Sequence, residues 1–228
     1  HYLRLENFSP NQILENRLNE ALPQEPPLGE FVSSVAAPEA VPGGGSVAAH
    51  AASLAAALGE MVASLTEGKK KYQPVEGQIR DIHLQLSEAR SVLHRLVEED
   101  ADAYRGVTAA LKLPKESAEE KAARTEALAR TTRIATEVPL RTARLAAQAL
   151  GQLAILAEIG NRNAQSDAAT GAQLAFAALK GAQYNVLINL PSLADRAFAE
   201  ACREEADELA RRGQEALQKV DALLTLPR

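Results

Sequence analysis

The sequence predicts an all-α protein, a bundle of six to eight helices, and three observations predict it. Apolar residues recur at alternating three- and four-residue intervals over long stretches. Alanine is abundant, while aromatic residues make up only 4% and Trp is absent. No segment of useful length alternates with period two. Little aromatic bulk and much Ala suit helices that approach each other closely and are poor material for a β-sandwich. The 228 residues, 46% hydrophobic and 24% charged, suffice for a real core.

The elements follow in order. Ser9-Pro10 before Ile13, Leu14 and Leu18 reads as a short helix with Pro at its first position. Pro23, Pro26 and Pro27 then break the chain, so residues 1–27 form a linker segment and residues 28–228 the helical domain. A short helix from about Leu28 to Val35 leads into the loop Pro38 to Gly45. Ser46 caps an Ala-rich helix to about Thr66, and Gly68 to Pro74 is a polar loop. A long helix spans about 78–112, with Ile79, Ile82, Leu86, Ala89, Leu93, Leu96, Ala103, Val107 and Ala110 on one stripe. Pro114 stops it. Ser117-Ala-Glu-Glu120 is a capping box for the next helix, which Val138-Pro139 interrupts or divides before Gly160-Asn161 ends it. Ser166 caps a strongly apolar helix through Asn189. After Pro191 and a second cap at Ser192, a charged amphipathic helix runs from about Ala194 to Leu224.

Composition narrows the function. A formal net charge of -5 argues against a general nucleic-acid binder. The single Cys202 excludes an intrachain disulfide framework and fits a reducing compartment. The most apolar stretch, Ser46 to Thr66, carries His50 and Glu60 and lacks the run of strongly apolar residues that a bilayer span needs. No secretory signal is read, no membrane partner is expected, and the cytoplasm is the expected location. His50, His83 and His94 show no metal-ligand spacing, so no metal is expected.

The long helix carries the sharpest chemical clue. Continued from Leu96, its apolar stripe arrives at Asp100. A carboxylate on a buried seam must be paired, protonated or facing a cavity, and each outcome perturbs its pKa in the way acid–base catalysis needs. The plainer alternative is an ion pair with a neighbouring helix. Tyr104 lies one turn further on the same face, while Glu98, Glu99 and Asp102 read as solvated. Gly43-Gly44-Gly45-Ser46 frees the backbone to approach a ligand at a helix start, or is simply a turn with a Ser cap. Lys69, Lys70 and Lys71 with Tyr72 form a basic cluster, either an anion site or a solvated charge run. Ser166 and Asp167 sit in a polar turn. Asn185 and Asn189, one turn apart on an apolar helix, need partners, which a polar heterocycle or interhelical hydrogen bonding would supply equally well.

In order and spacing, Pro42-Gly-Gly-Gly-Ser-Val-Ala-Ala49, Gly68-Lys-Lys-Lys-Tyr72, Glu99-Asp-Ala-Asp-Ala-Tyr104 and Leu113-Pro-Lys115 resemble the cyclodeaminase domain of formiminotransferase-cyclodeaminase. So do Val138-Pro-Leu140, Gly160-Asn161 with Ser166-Asp167, and Tyr184-Asn-Val-Leu-Ile-Asn-Leu190. The resemblance covers about Leu28 to the C-terminus. It implies conversion of 5-formiminotetrahydrofolate to 5,10-methenyltetrahydrofolate with release of ammonia, Asp100 being the family's catalytic aspartate. It implies no cofactor beyond the folate substrate. It further implies that Gly43, Gly44, Gly45, Ser46, Asn185 and Asn189 line the folate cleft, joined by Tyr104, Lys115, Ser166 and Asp167, with Lys70 and Tyr72 in a basic loop that meets the glutamate tail. A homodimer or larger ring with sites near the subunit junction is implied as well, as is a formiminotransferase domain or protein as partner; the short opening segment leaves that activity outside this chain. Methenyltetrahydrofolate cyclohydrolase is the nearest rival, and a non-enzymatic helical oligomerisation scaffold the second.

Overall fold

The computed structural model describes residues 27–225. The expected helix from Ser9-Pro10 to Leu18 and the linker at Pro23 and Pro26 lie outside them. The described residues form six α-helices and no strand: α1 Pro27–Ala36, α2 Gly44–Ser64, α3 Glu76–Leu111, α4 Ala118–Ile159, α5 Gln165–Asn189 and α6 Arg196–Thr225. Short 3-10 turns at Lys70–Val75, Arg162–Ala164 and Leu190–Ser192 link them. The chain divides after Glu39, and α2 to α6 belong to the second unit.

In that unit α2 packs against α3 and α5, α4 lies against α3 and α5, and α6 covers α4 and α5. The inner faces of α2 are almost pure small residues: Ala48, Ala49, Ala52, Ala55, Ala56, Gly59 and Ala63 are all buried. Small side chains let the helix axes close up, so larger neighbours fill the gaps. At Gly59 a methyl group would come within 2.6 Å of Leu86 Cδ1. Ile79, Ile82, Leu86, Leu93 and Leu96 of α3 are buried as the stripe predicts, with Leu150, Leu153 and Leu156 of α4 opposite.

Several local expectations are corrected. Gly43, not Ser46, is the N-cap of α2. Ser166 does not cap α5, whose N-cap is Ala164, and Asp195 rather than Ser192 starts α6 by accepting the Phe198 N–H at 3.0 Å. The Gly68–Pro74 stretch is not all loop but holds a 3-10 turn. Ser117 and Glu120 do form the capping box. On length and composition α2 does reach the threshold of a membrane span, with mean hydropathy 1.3, because alanine counts as apolar; 56% of that window is buried inside the bundle.

Pro139 neither ends nor divides α4, which runs through it. A proline there has no N–H for the carbonyl four residues back, that of Ala135. The orphaned Ala135 carbonyl instead accepts the Asn189 side-chain amide at 2.8 Å. An internal proline is thus tolerated because a neighbouring helix supplies the missing donor.

Candidate active site

Asp100 is half-buried on α3 and opens into a cavity of about 370 Å³, within the size range of small-molecule sites. The wall comes from four helices and the strap before α2: Ala40, Val41 and Gly43 to Gly45; Asp100, Ala103, Tyr104 and Val107; Ala135; and Asn185, Ile188 and Asn189. Of the three outcomes for a carboxylate on the seam, the structure shows the cavity. No ion pair holds it among the described residues, whereas its acidic neighbours Glu99 and Asp102 are paired. Asp102 is exposed beside Arg105 at 2.7 Å, whereas Glu99, expected in solvent, is half-buried and bound to Arg141 of α4 at 2.6 Å.

The carboxyl sits against the first turn of α2. The fully buried Ser46 hydroxyl lies 2.9 Å from Asp100 Oδ2 and 3.0 Å from the Val97 carbonyl oxygen. A Cβ at Gly45 would fall 2.1 Å from Asp100 Oδ1, so the absence of a side chain at 45 is what makes room for the carboxyl. Burial pushes the Asp100 carboxyl above the ordinary carboxylate range, and hydrogen bonds from the Ser46 hydroxyl and backbone N–H pull it partly back. The net effect is upward, burial outweighing the two hydrogen bonds.

On the opposite wall the amide nitrogens are occupied by protein. Asn185 Nδ2 donates to the Gly181 carbonyl at 2.8 Å, and Asn189 Nδ2 to those of Ala135 and Asn185 at 2.8 and 3.0 Å. That assignment leaves the Oδ1 atoms as the acceptors available to a ligand carrying N–H groups. Tyr104, 46% exposed, and Ile188, 75% exposed, supply apolar rim surface that a flat ring can cover.

Seven of the residues singled out from the sequence therefore converge: Gly43, Gly44, Gly45, Asp100, Tyr104, Asn185 and Asn189. Ser46 is not a lining residue; it is buried behind the wall, touching the acid. Lys115 lies in the exposed stretch between α3 and α4, outside the cavity lining. Lys70, Tyr72, Ser166 and Asp167 are at the other end of the bundle. About 36 Å of helix separates Glu76 from Asp100 at the α-helical rise of about 1.5 Å per residue, and by the same rise about 27 Å separates Asp167 from Asn185. There Tyr72 has a structural task, its hydroxyl accepting the Arg162 N–H at 3.2 Å, which holds its pKa below the usual phenol value. Lys69 and Lys70 line a separate hollow with Gly68, Gln73, Glu76 and Arg80. Sequence reading missed Ala40, Val41, Ala103, Val107, Ala135 and Ile188. Val107 lay on the apolar stripe, but nothing in its spacing tells a cavity wall from core. Among the described residues no group of three or more His, Cys, Asp or Glu gathers as a metal site would require.

Comparison with known proteins agrees with the geometry. The sequence profile of the formiminotransferase-cyclodeaminase family matches residues 27–208, a span that holds every residue of the cavity. A methenyltetrahydrofolate cyclohydrolase of Methylorubrum extorquens is 38% identical over 179 residues, covering 78% of this chain and 86% of that protein. The formimidoyltransferase-cyclodeaminase of Gallus gallus is 37% identical over 87% of this chain, which spans only 37% of that longer relative. The crystal structure of a formiminotetrahydrofolate cyclodeaminase from Thermotoga maritima superposes with a TM-score of 0.78 at 33% identity, covering 90% of this chain and 97% of that one. The ordered motifs and the shared fold lead to one statement: the chain belongs to the formiminotransferase-cyclodeaminase family.

Proposed function

We propose that this chain is a formiminotetrahydrofolate cyclodeaminase, with Asp100 as its general acid and base. The observation that carries the reading is a half-buried carboxyl, unpaired by any cation among the described residues, facing a ligand-sized cavity. The reaction closes a ring: N10 of the folate attacks the formimino carbon, N10 loses its proton, and the former imino nitrogen leaves as ammonia. The N10–C bond forms and the exocyclic C–N bond breaks. The formimino group reacts as its protonated amidinium, so the single N10 proton that the carboxylate accepts and returns completes NH3, the positive charge stays on the methenyl product, and no net proton is left on the enzyme. The Asn185 and Asn189 oxygens accept N–H groups of the pterin, and Tyr104 with Ile188 covers its faces.

The remote basic end enters this reading only from another copy. The dimer implied by the family resemblance would bring a partner's Lys70, Tyr72, Ser166 and Asp167 toward the cavity, where Lys70 meets the glutamate carboxylates. The test of the whole reading is ammonia release from 5-formiminotetrahydrofolate, coupled to methenyl formation. Asp100→Asn should stay folded and lose about 10²- to 10⁴-fold in kcat, the range for a lost general acid–base group. Near-native turnover would remove Asp100 from the mechanism.

A second reading is cyclohydrolysis of the methenyl folate, in which water attacks the same carbon in the same cavity. It is favoured by the Methylorubrum extorquens relative, which matches this chain over most of its own length. Rapid hydrolysis of methenyltetrahydrofolate without ammonia release from the formimino substrate would select it.

A further inference from the structure

Ser46 has one hydroxyl proton and two acceptors within reach, Asp100 Oδ2 at 2.9 Å and the Val97 carbonyl oxygen at 3.0 Å. It is fully buried, so no water shares the work. A serine hydroxyl donates one hydrogen bond and accepts up to two. When Asp100 is ionised, the hydroxyl points at Oδ2. When Asp100 is protonated, its own O–H donates to Ser46 Oγ, and the Ser46 proton turns to the Val97 carbonyl, whose second lone pair is free for it. Both arrangements use the same heavy-atom positions, and neither leaves a buried polar atom unsatisfied.

We propose that Ser46 is the positioning residue of the proton shuttle, a two-position hydrogen-bond rotor that keeps the Asp100 carboxyl in one place through both halves of the reaction. The inference rests on the reading of Asp100 as acid and base and assigns Ser46 a task apart from substrate contact. Gly45 is its counterpart: it clears the space that lets the carboxyl reach Ser46 at all. Among the described residues that line the cavity, no other charge competes for the acid. Around the cavity α2 presents glycines, α4 presents Ala135, and α5 presents Asn185, Ile188 and Asn189; on α3 itself Tyr104 is the one further titratable group in the lining. Glu99 is taken up by Arg141 of α4 and Asp102 by Arg105. His50, one turn beyond Ser46 in α2, is held below its ordinary pKa by burial and by His94 of α3.

The test uses Ser46→Ala and Ser46→Thr in the full chain, with Asp100→Asn as reference. Ser46→Ala should melt as a folded protein yet lose about 10- to 100-fold in kcat, as expected for a lost hydrogen bond to a charged group. The acidic limb of its kcat–pH profile should move upward by about one pH unit or more, because the ionised carboxyl has lost a donor. Ser46→Thr, which keeps the hydroxyl, should recover most of the rate and return the limb. A direct readout independent of turnover is the carbonyl band of the neutral carboxyl in difference infrared titration, with Asp100→Asn as blank: in Ser46→Ala the band should persist to higher pH than in the unaltered protein. If limb and band both stay in place in a folded Ser46→Ala protein, Ser46 is a packing residue and the inference is overturned, while the role of Asp100 stands. If Asp100→Asn retains full turnover, the mechanism fails on its own account, and the infrared band still decides whether Ser46 follows the charge of Asp100.

Discussion

At Asp100 and Gly45 the protein keeps a costly arrangement that a purely structural helix start would avoid. An acid whose folded pKa lies above its unfolded value binds more protons in the native state than in the unfolded one across the interval between the two. Stability therefore falls as pH rises through that interval and stays reduced above it. Asp100→Asn should accordingly melt higher than the unaltered chain at neutral pH, with the gap narrowing as pH is lowered toward the ordinary carboxyl range. Thermal melts between acidic and neutral pH check this, and an equal or lower melting temperature at neutral pH would show that burial does not penalise the charge. Gly45→Ala should act in the opposite sense on function: its methyl group would lie within 2.1 Å of Asp100 Oδ1, so the carboxyl must swing away. The expected result is a folded protein with kcat reduced at least as far as in Ser46→Ala, measured in the ammonia-release assay.

Along single elements, the pairing of Pro139 with Asn189 explains how a 42-residue helix survives an internal proline. The Ala135 carbonyl, freed by Pro139, is both a wall residue of the cavity and the acceptor of the Asn189 amide. Removing the donor should therefore cost the desolvation of a half-buried carbonyl: Asn189→Ala is expected to destabilise by about 1–3 kcal/mol. In a Pro139→Ala background the helix can supply its own N–H to that carbonyl, and the penalty should shrink. A double-mutant cycle by chemical denaturation measures the coupling; additive effects would mean that the two residues are independent. Asn189 thereby has its side-chain oxygen held in place at the cavity wall by a bond to the protein itself. Its sequence signal, two amides one turn apart on an apolar helix, showed that partners were needed but not that one of them was an orphaned carbonyl 54 residues upstream.

For the molecule as a whole, the separation of the acidic cavity from the basic turn is the dominant fact. Lys69, Lys70 and Lys71 are exposed, at the far end of α3 from Asp100. Replacing them with Ala should leave kcat intact and raise KM for polyglutamylated more than for monoglutamyl substrate, with an effect that weakens as salt is added. Equal KM values for both substrates would return the turn to a solvated charge run. Stability should change little, since contacts of exposed lysines, such as that of Lys71 over the Tyr72 ring, contribute small amounts.

The local content of the fold was determined by the sequence alone. The three-four spacing of apolar residues fixes which face of α3 is inward, and that periodicity, extended by one step, turned Asp100 toward the interior. The Ser117 capping box and the Gly160 stop are likewise local chemistry, legible over a few residues. What only the tertiary structure decided is which inward faces meet. Gly45 reaches Asp100, Ser46 is a partner of the acid rather than a cap, Asn189 repairs α4 at Ala135, and Lys70 stands apart from the cavity. A helical period encodes direction relative to one axis and carries no information about which neighbouring axis packs there, because burial stabilises any apolar partner of suitable shape. Contacts between distant polar atoms emerge only once the small-residue faces of α2 have closed on α3 and α5.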